Sequence, residues 1–168
     1  MQFDITYKQL IAELFNTKQK AEWSFYEGGF NTILEGPNNI TYMLALAPFW
    51  ELVLPPEIFN IKELSPENWK TLEHGTWHVE FGDDQSEELT EITGEQGSSA
   101  SKVFSIIGHA LIDKVKAEPT IFKNLVFSGK ESSRRNLYTR LAPILAKKLN
   151  KNLVVSADKE WYFILSKS

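Results

Sequence analysis

Apolar residues recur along this chain with two different periods, and each change of period marks an element. Behind Thr6-x-x-Gln9, a capping-box pattern, Leu10, Ile11, Leu14 and Phe15 repeat at helical spacing and predict a helix over 7–20. Short runs of β type follow. Glu22–Tyr26 and Phe30–Leu34 flank Gly28-Gly29 as the arms of a tight hairpin would. Gly36-Pro37-Asn38-Asn39 is a second turn, and it leads into a third strand, Ile40–Leu46. Trp50–Leu54 is apolar and stops at Pro55-Pro56. Ser65-Pro66-Glu67 combines an N-cap, a first-turn proline and an acid, so a short helix through Leu72 is expected. Trp77, Val79 and Phe81 alternate with His78 and Glu80, which predicts a half-buried strand with the histidine and the glutamate on its wet face. Leu89 and Ile92 predict another strand or a bent edge.

The last third is plainer. Gly97-Ser98-Ser99 can open a helix over 99–117 whose stripe is Val103, Phe104, Ile107, Leu111 and Val115, with Pro119 just past its end. Ile121–Phe127 reads as a compact apolar strand. Ser132 or Ser133 caps a second helix carrying Leu137, Tyr138, Leu141, Ile144, Leu145 and Leu149, which Pro143 should kink or split. Leu153–Ser156 and Trp161–Leu165 form a last hairpin around Ala157-Asp158-Lys159. Helix, antiparallel meander, helix–strand–helix and hairpin make an α+β fold, a mostly antiparallel sheet with helices packed on it.

At 168 residues this is one domain, 1–168, and 42% hydrophobic content is enough for a substantial core. The first residues have neither the basic nor the apolar region of a secretory leader, and no apolar run approaches the roughly 18 residues of a membrane span. No membrane partner is therefore expected. Cysteine is absent, which excludes disulfides and thiolate chemistry and fits a cytoplasmic protein. The net charge of −4 conceals a split. Residues 1–100 hold five lysines against 17 carboxylates, net −12; residues 101–168 hold 13 basic residues against five acids, net +8. An acidic meander part, 1–96, thus precedes a basic helix–strand–helix–hairpin part, 97–168. A charge-polarised surface follows if the two parts form different faces. The run Asp83, Asp84, Glu87, Glu88, Glu91, Glu95 lacks EF-hand spacing and sits in the best candidate for a mobile loop, 83–98.

Candidate chemistry is sparse. His74, His78 and Glu80 would share one face of a strand and are weak candidates for a metal set, the plainer reading being one turn histidine and one wet strand histidine. His109 is expected to pack at the edge of its helix stripe. No Gly-x-Ser-x-Gly or His-Glu-x-x-His is present. Ser128-Gly129-Lys130 between strand and helix has a P-loop's position, but Asn124 replaces its first glycine and Glu131 its magnesium-binding hydroxyl, which argues against an ATPase of that type. Free amides at that helix start, beside Lys130, Arg134 and Arg135, would attract an anion or an acidic partner. Arg134 falls on the side of Tyr138 and Leu141, where it can instead brace the loop against a carboxylate. Arg140 and Lys147 fall on the wet side, and Arg140 joins the basic set available to a partner.

Thr93-Gly94, Val103-Phe104-Ser105, Phe127-Ser128 and Arg134-x-x-Leu137-Tyr138-x-Arg140-Leu141 together resemble a group of uncharacterised bacteriophage proteins over 93–150. The resemblance implies an accessory protein acting in the cytoplasm of an infected cell, and it supplies no activity. The same helix–strand–helix order looks like the GNAT acyltransferase superfamily. That likeness implies a loop before a helix, here Gly97, Ser98, Ser99 and Ala100, cradling the pyrophosphate of coenzyme A, a tyrosine acid at Tyr138, and a cleft between the strands flanking Gly97 and Phe127. Glu131 stands in place of the superfamily's asparagine, Ala142-Pro143 in place of Gly-Phe, and the spacing of Gln96–Ala100 differs from the usual one.

The missing catalytic motifs and the charge split lead to a first expectation: a non-catalytic phage-type protein that binds a host or phage macromolecule, with no cofactor. The alternatives are an N-acyltransferase using acetyl-CoA and a nucleic-acid-binding module working through Lys130, Arg134, Arg135 and Arg140. Pairing of the two charged faces would also allow a homo-oligomer.

Overall fold

A tight mirror-image turn starts the sheet. Glu27 and Gly28 take φ of 52° and 79°, the left-handed values that match the twist of the strands they join, β1 (Trp23–Tyr26) and β2 (Gly29–Glu35). β3 (Thr41–Pro48) returns antiparallel to β2, and β4 (Thr76–Asp83) antiparallel to β3. A crossover through α1 (Gly97–Ala117) brings β5 (Asn124–Ser128) parallel to β4. α2 (Ser132–Leu149) then leads to β6 (Asn152–Val155) and β7 (Trp161–Leu165), with β7 inserted beside β5. The seven described strands form one sheet in the order β1-β2-β3-β4-β5-β7-β6, an α+β architecture. This computed structural model describes residues 21–36, 40–49, 56–65, 72, 74–83, 97–129 and 132–167. The helix predicted over 7–20, the run Trp50–Leu54, Leu89 with Ile92, residues 66–71 and the acidic loop from Asp84 to Gln96 lie outside them.

One face of the sheet is packed by the helices. Phe104, Ile107, Ala110, Leu111 and Val115 recur at helical spacing on α1, and Tyr138, Leu141, Ala142, Ile144 and Leu145 do so on α2. They meet Leu34, Leu44, Leu46, Val79, Phe81, Leu125, Phe127, Tyr162 and Ile164 of the strands, all buried. Each large apolar side chain among them contributes about 1.5–3 kcal/mol on burial. α2 runs unbroken through Pro143, so of the expected kink or split the split does not occur. Ala142 and Ile144, its two neighbours, are each 1% exposed, and that burial offsets the roughly 3 kcal/mol a helix-interior proline costs. β5 begins at Asn124, not Ile121. The chain from Glu118 to Phe122 is turned instead, with the amides of Ile121 and Phe122 both donating to the Glu118 carbonyl at 3.1 Å. Phe122 is thereby set edge-on against Phe30, with ring centroids 5.2 Å apart. Lys114 lies over Trp23, Phe30 and Phe122, 4.7 Å from the Phe30 centroid, and pairs with Glu118 at 2.7 Å.

The opposite face carries a second layer that no sequence period announces. Two short 3-10 turns, Pro56–Asn60 and Lys62–Leu64, lay Ile58 and Leu64 with Phe49 and Leu72 on Val126, Trp161, Phe163 and Leu165. The layer reaches β5 and β7 and extends as far as the start of β4. His78, expected on a wet face, is only 8% exposed. Farther out, on β2 and β3, the same face is open, with Ile33 70% and Met43 54% exposed.

A polar network ties the start of β5 to its neighbours. The Asn124 side chain, 5% exposed, donates from Nδ2 to Thr76 Oγ1 at 3.0 Å and accepts from the Ser166 amide at 2.8 Å. Thr76 Oγ1 in turn donates to the Leu72 carbonyl. Lys151 Nζ donates to the Lys123 carbonyl at 2.7 Å and to Ser166 Oγ at 3.0 Å, and burial lowers the pKa of its ammonium. Asn124→Ala removes the bond to Thr76 and the bond from the exposed Ser166, while Thr76 keeps Leu72; net hydrogen bonds of this kind contribute about 0.5–1.5 kcal/mol each. Urea unfolding of this variant is expected to show a loss of about 1–3 kcal/mol. A loss under about 0.5 kcal/mol, the range of ordinary surface substitutions, would show the network to be dispensable.

Candidate functional site

Among the described strands, β4 and β5 are the only parallel neighbours, and they stay together only briefly. Their register runs from Thr76↔Asn124 to Val79↔Phe127. Beyond it Glu80, Phe81, Gly82 and Asp83 remain paired to β3 but no longer to β5. The strands part there because β5 itself ends at Ser128, one residue past the last pair, while β4 runs on. The helices that follow them, α1 from Gly97 and α2 from Ser132, both begin on that side of the sheet. Helix N-termini present unpaired amides and a partial positive charge, so this end favours an anion. Crevices at the carboxyl ends of parallel strands are where open α/β sheets bind ligands.

The helix side of the gap is filled with rings. Tyr138, 1% exposed, sits edge-on to Phe81 (5.9 Å between centroids) and to Tyr162 (6.0 Å) and is tilted against Phe127 (5.1 Å). Tyr162 OH hydrogen-bonds Thr139 Oγ1 at 2.8 Å. Tyr138 is thus a core residue at the parting of the strands. On the opposite face, Glu80 stands beside the same parting, with about half its side chain in solvent and one oxygen 3.2 Å from His78 Nδ1. A carboxylate that reaches solvent and holds a nearly buried imidazole can take a proton and stabilise the charge. The sequence pattern singles out both residues only as metal ligands. Their adjacency to the parting depends on the β4–β5 register, which no local pattern encodes.

His74 does not join them. Gly75, at φ 91°, turns the chain before β4 starts at Thr76, so His74 lies in an exposed turn off the strand face. Among the described residues no cluster of three or more His, Asp or Glu could hold a metal ion. His109 is half-buried, not fully packed, and its Nε2 is 3.1 Å from Asp113 one helical turn on. Gly97, Ser98, Ser99 and Ala100 form the first turn of α1, and Arg134 and Arg135 stand in the first turn of α2; the backbone alone is described at these positions. Lys130 and Glu131 lie outside the described residues. Arg140 and Lys147 are exposed, as expected. A cavity of about 410 Å³ lies elsewhere, between the first 3-10 turn and the β6–β7 turn, lined by Glu57, Ile58, Asn60, Ile61, Ser156, Ala157 and Asp158. Asp158 there accepts from Ser156 Oγ and the Glu160 amide, which closes the turn. No described helix is long and apolar enough to cross a membrane.

None of the seven described strands contains a lysine or an arginine; the acids among them, Glu35, Glu80 and Asp83, are all on β2 and β4, while Lys114 of the basic part reaches over Trp23 of β1 and Phe30 of β2. No protein-family model, curated protein or solved structure matches the chain.

Tyr138→Ala removes a ring buried among three others and is expected to cost about 3–5 kcal/mol in chemical unfolding. A cost under about 1 kcal/mol would show that the ring is not part of the core.

Proposed function

We propose that the protein is a GNAT-like N-acyltransferase that uses acyl-coenzyme A and works where β4 parts from β5. The single observation that supports this most is where the parallel pairing ends: it stops at Val79 and Phe127, β5 ends at Ser128 while β4 runs on to Asp83, and both following helices start at the same end. The donor's pyrophosphate lies against the first-turn amides of α1 at Gly97, Ser98, Ser99 and Ala100, residues small enough to let phosphate approach the backbone. Arg134 and Arg135 add positive charge at the neighbouring helix start. The acceptor amine attacks the thioester carbonyl, the C–S bond breaks and the thiolate leaves. Glu80, held by His78, takes the amine's proton, and Tyr138 supplies a proton to the thiolate from the ring-filled side.

A second reading is non-catalytic: a phage-type accessory protein that binds a host or phage macromolecule through its charge-polarised surface. What favours it is the charge split along the chain, net −12 over residues 1–100 against +8 over 101–168.

Acetyl-CoA at about 100 times its dissociation constant is expected to add roughly 2.7 kcal/mol of stability in a thermal or urea titration. Release of free thiol in the presence of amine acceptors completes the test. Tyr138→Phe, which keeps the ring, is expected to lower the rate by about 100-fold or more at unchanged acetyl-CoA binding, as is Glu80→Gln. No stabilisation by acetyl-CoA and no thiol release would leave the second reading in its place.

A further inference from the structure

On the open face of the meander, Ile33 of β2 pairs directly with Met43 of β3, and Met43 with Gly82 of β4. The two apolar side chains are 70% and 54% exposed, in a sheet whose other half is roofed by the 3-10 turns. The rows on either side carry carboxylates. Glu35, opposite Thr41, is two residues along β2, and Glu80, opposite Ala45, is in the next row on the other side. Side chains two residues apart on a strand share a face, about 7 Å apart. The result is an apolar pair bracketed by two acids, on strands that carry no lysine or arginine of their own.

We propose that this face docks a basic, apolar segment of another protein, an extended or helical stretch that sets leucine-like side chains on Ile33 and Met43 and lysine or arginine beside Glu35 and Glu80. The inference rests on the macromolecule-binding reading and is independent of acyl transfer. Charge complementarity selects the occupant. Nucleic acid and anionic lipid are repelled by the carboxylates, and only a longer segment spans the apolar pair and both acids together. An apolar pair ringed by charge is the anatomy of a small protein-docking patch.

The test uses the full chain without acyl-CoA and a short fluorescein-labelled peptide alternating lysine with leucine. Two control peptides replace every lysine by glutamate or every leucine by serine. Fluorescence anisotropy is expected to show binding of the first peptide alone, weakening as salt is raised. Ile33→Ser combined with Met43→Ser should reduce affinity about tenfold or more, and Glu35→Gln severalfold. Glu57→Gln with Glu63→Gln removes two exposed charges elsewhere and should change little. Thermal melts confirm that each variant is folded, which is expected because every altered side chain is exposed. Equal binding by the parent and the Ile33/Met43 variant would overturn the assignment to this face while leaving charge-driven binding intact. No binding by the parent would overturn both. Self-association of the parent that the same double substitution abolishes would mean that a second copy of this chain occupies the face, and would overturn the proposal.

Discussion

The parallel pairing of β4 with β5 is the constraint on which the remaining architecture depends. Two parallel strands need a crossover, and here it is α1, which covers the helix-side face of the sheet. Parallel pairs occur almost only where both faces are shielded. β5 shows this in its sequence, Asn124-Leu125-Val126-Phe127, every side chain buried and no polar alternation. The helices cover Leu125 and Phe127, and Val126, which points the other way, requires the layer of Phe49, Ile58, Leu64 and Leu72. His78, whose partner across the parallel register is Val126, is enclosed as well. Asn124, the one polar residue among these four, is matched by Thr76 and the Ser166 amide, as a buried amide must be. The same pairing places the starts of α1 and α2 at one end of the sheet, so core and candidate site share one cause.

Elements with strong local periodicity are legible in the sequence alone. The Gly28 turn, the stripes of both helices and the final hairpin depend on residues a few positions apart, and their physics is local. Sequence and structure differ where tertiary contacts decide. Pro143 reads as a helix breaker because propensity alone opposes it, yet burial of Ala142 and Ile144 exceeds that penalty. Ile121 and Phe122 read as strand because they are apolar and β-favouring, but the Glu118 carbonyl captures both their amides and curls the chain. The 3-10 layer is built from single apolar residues spread over 49–72, with no period to detect. His78 departs from its expected wet face for the same reason: alternation identifies two faces of a strand, and it does not say whether the second face is covered.

The candidate site is legible in its parts and illegible in its assembly. Tyr138 and the small residues Gly97–Ala100 come from a likeness in element order, and the fold sets their elements at one end of the sheet. Glu80 stands out in the sequence only as a ligand beside two histidines. Its place at the parting of the strands follows from where the β4–β5 register ends, a long-range fact. Tyr138 illustrates how one residue can satisfy two demands. Its ring completes an aromatic cluster with Phe81, Phe127 and Tyr162, and so it is needed for stability irrespective of any proton it donates. Loss of activity in a ring-deleting variant therefore carries no mechanistic information, and only the ring-preserving substitution separates the roles.

Charge adds a step that neither packing nor topology supplies. A sheet can bury its apolar residues equally well wherever its charges stand, yet the three acids of the described strands, Glu35, Glu80 and Asp83, are all on β2 and β4 with no lysine or arginine on any strand. Self-repulsion among like charges opposes such segregation. A segregated acidic sheet face with an exposed Ile33–Met43 pair is therefore a feature folding does not explain. Exposed apolar residues are tolerable singly, and carboxylates are ordinary on a surface. Here Ile33 and Met43 are in register in one row, with Glu35 and Glu80 in the rows on either side. The far half of the sheet solves the opposite problem. There the apolar residues of β5 and β7 are roofed by the protein's own 3-10 turns. One half of that face is thus closed by the chain itself, and the other half has the composition of a surface that a basic, apolar partner would close.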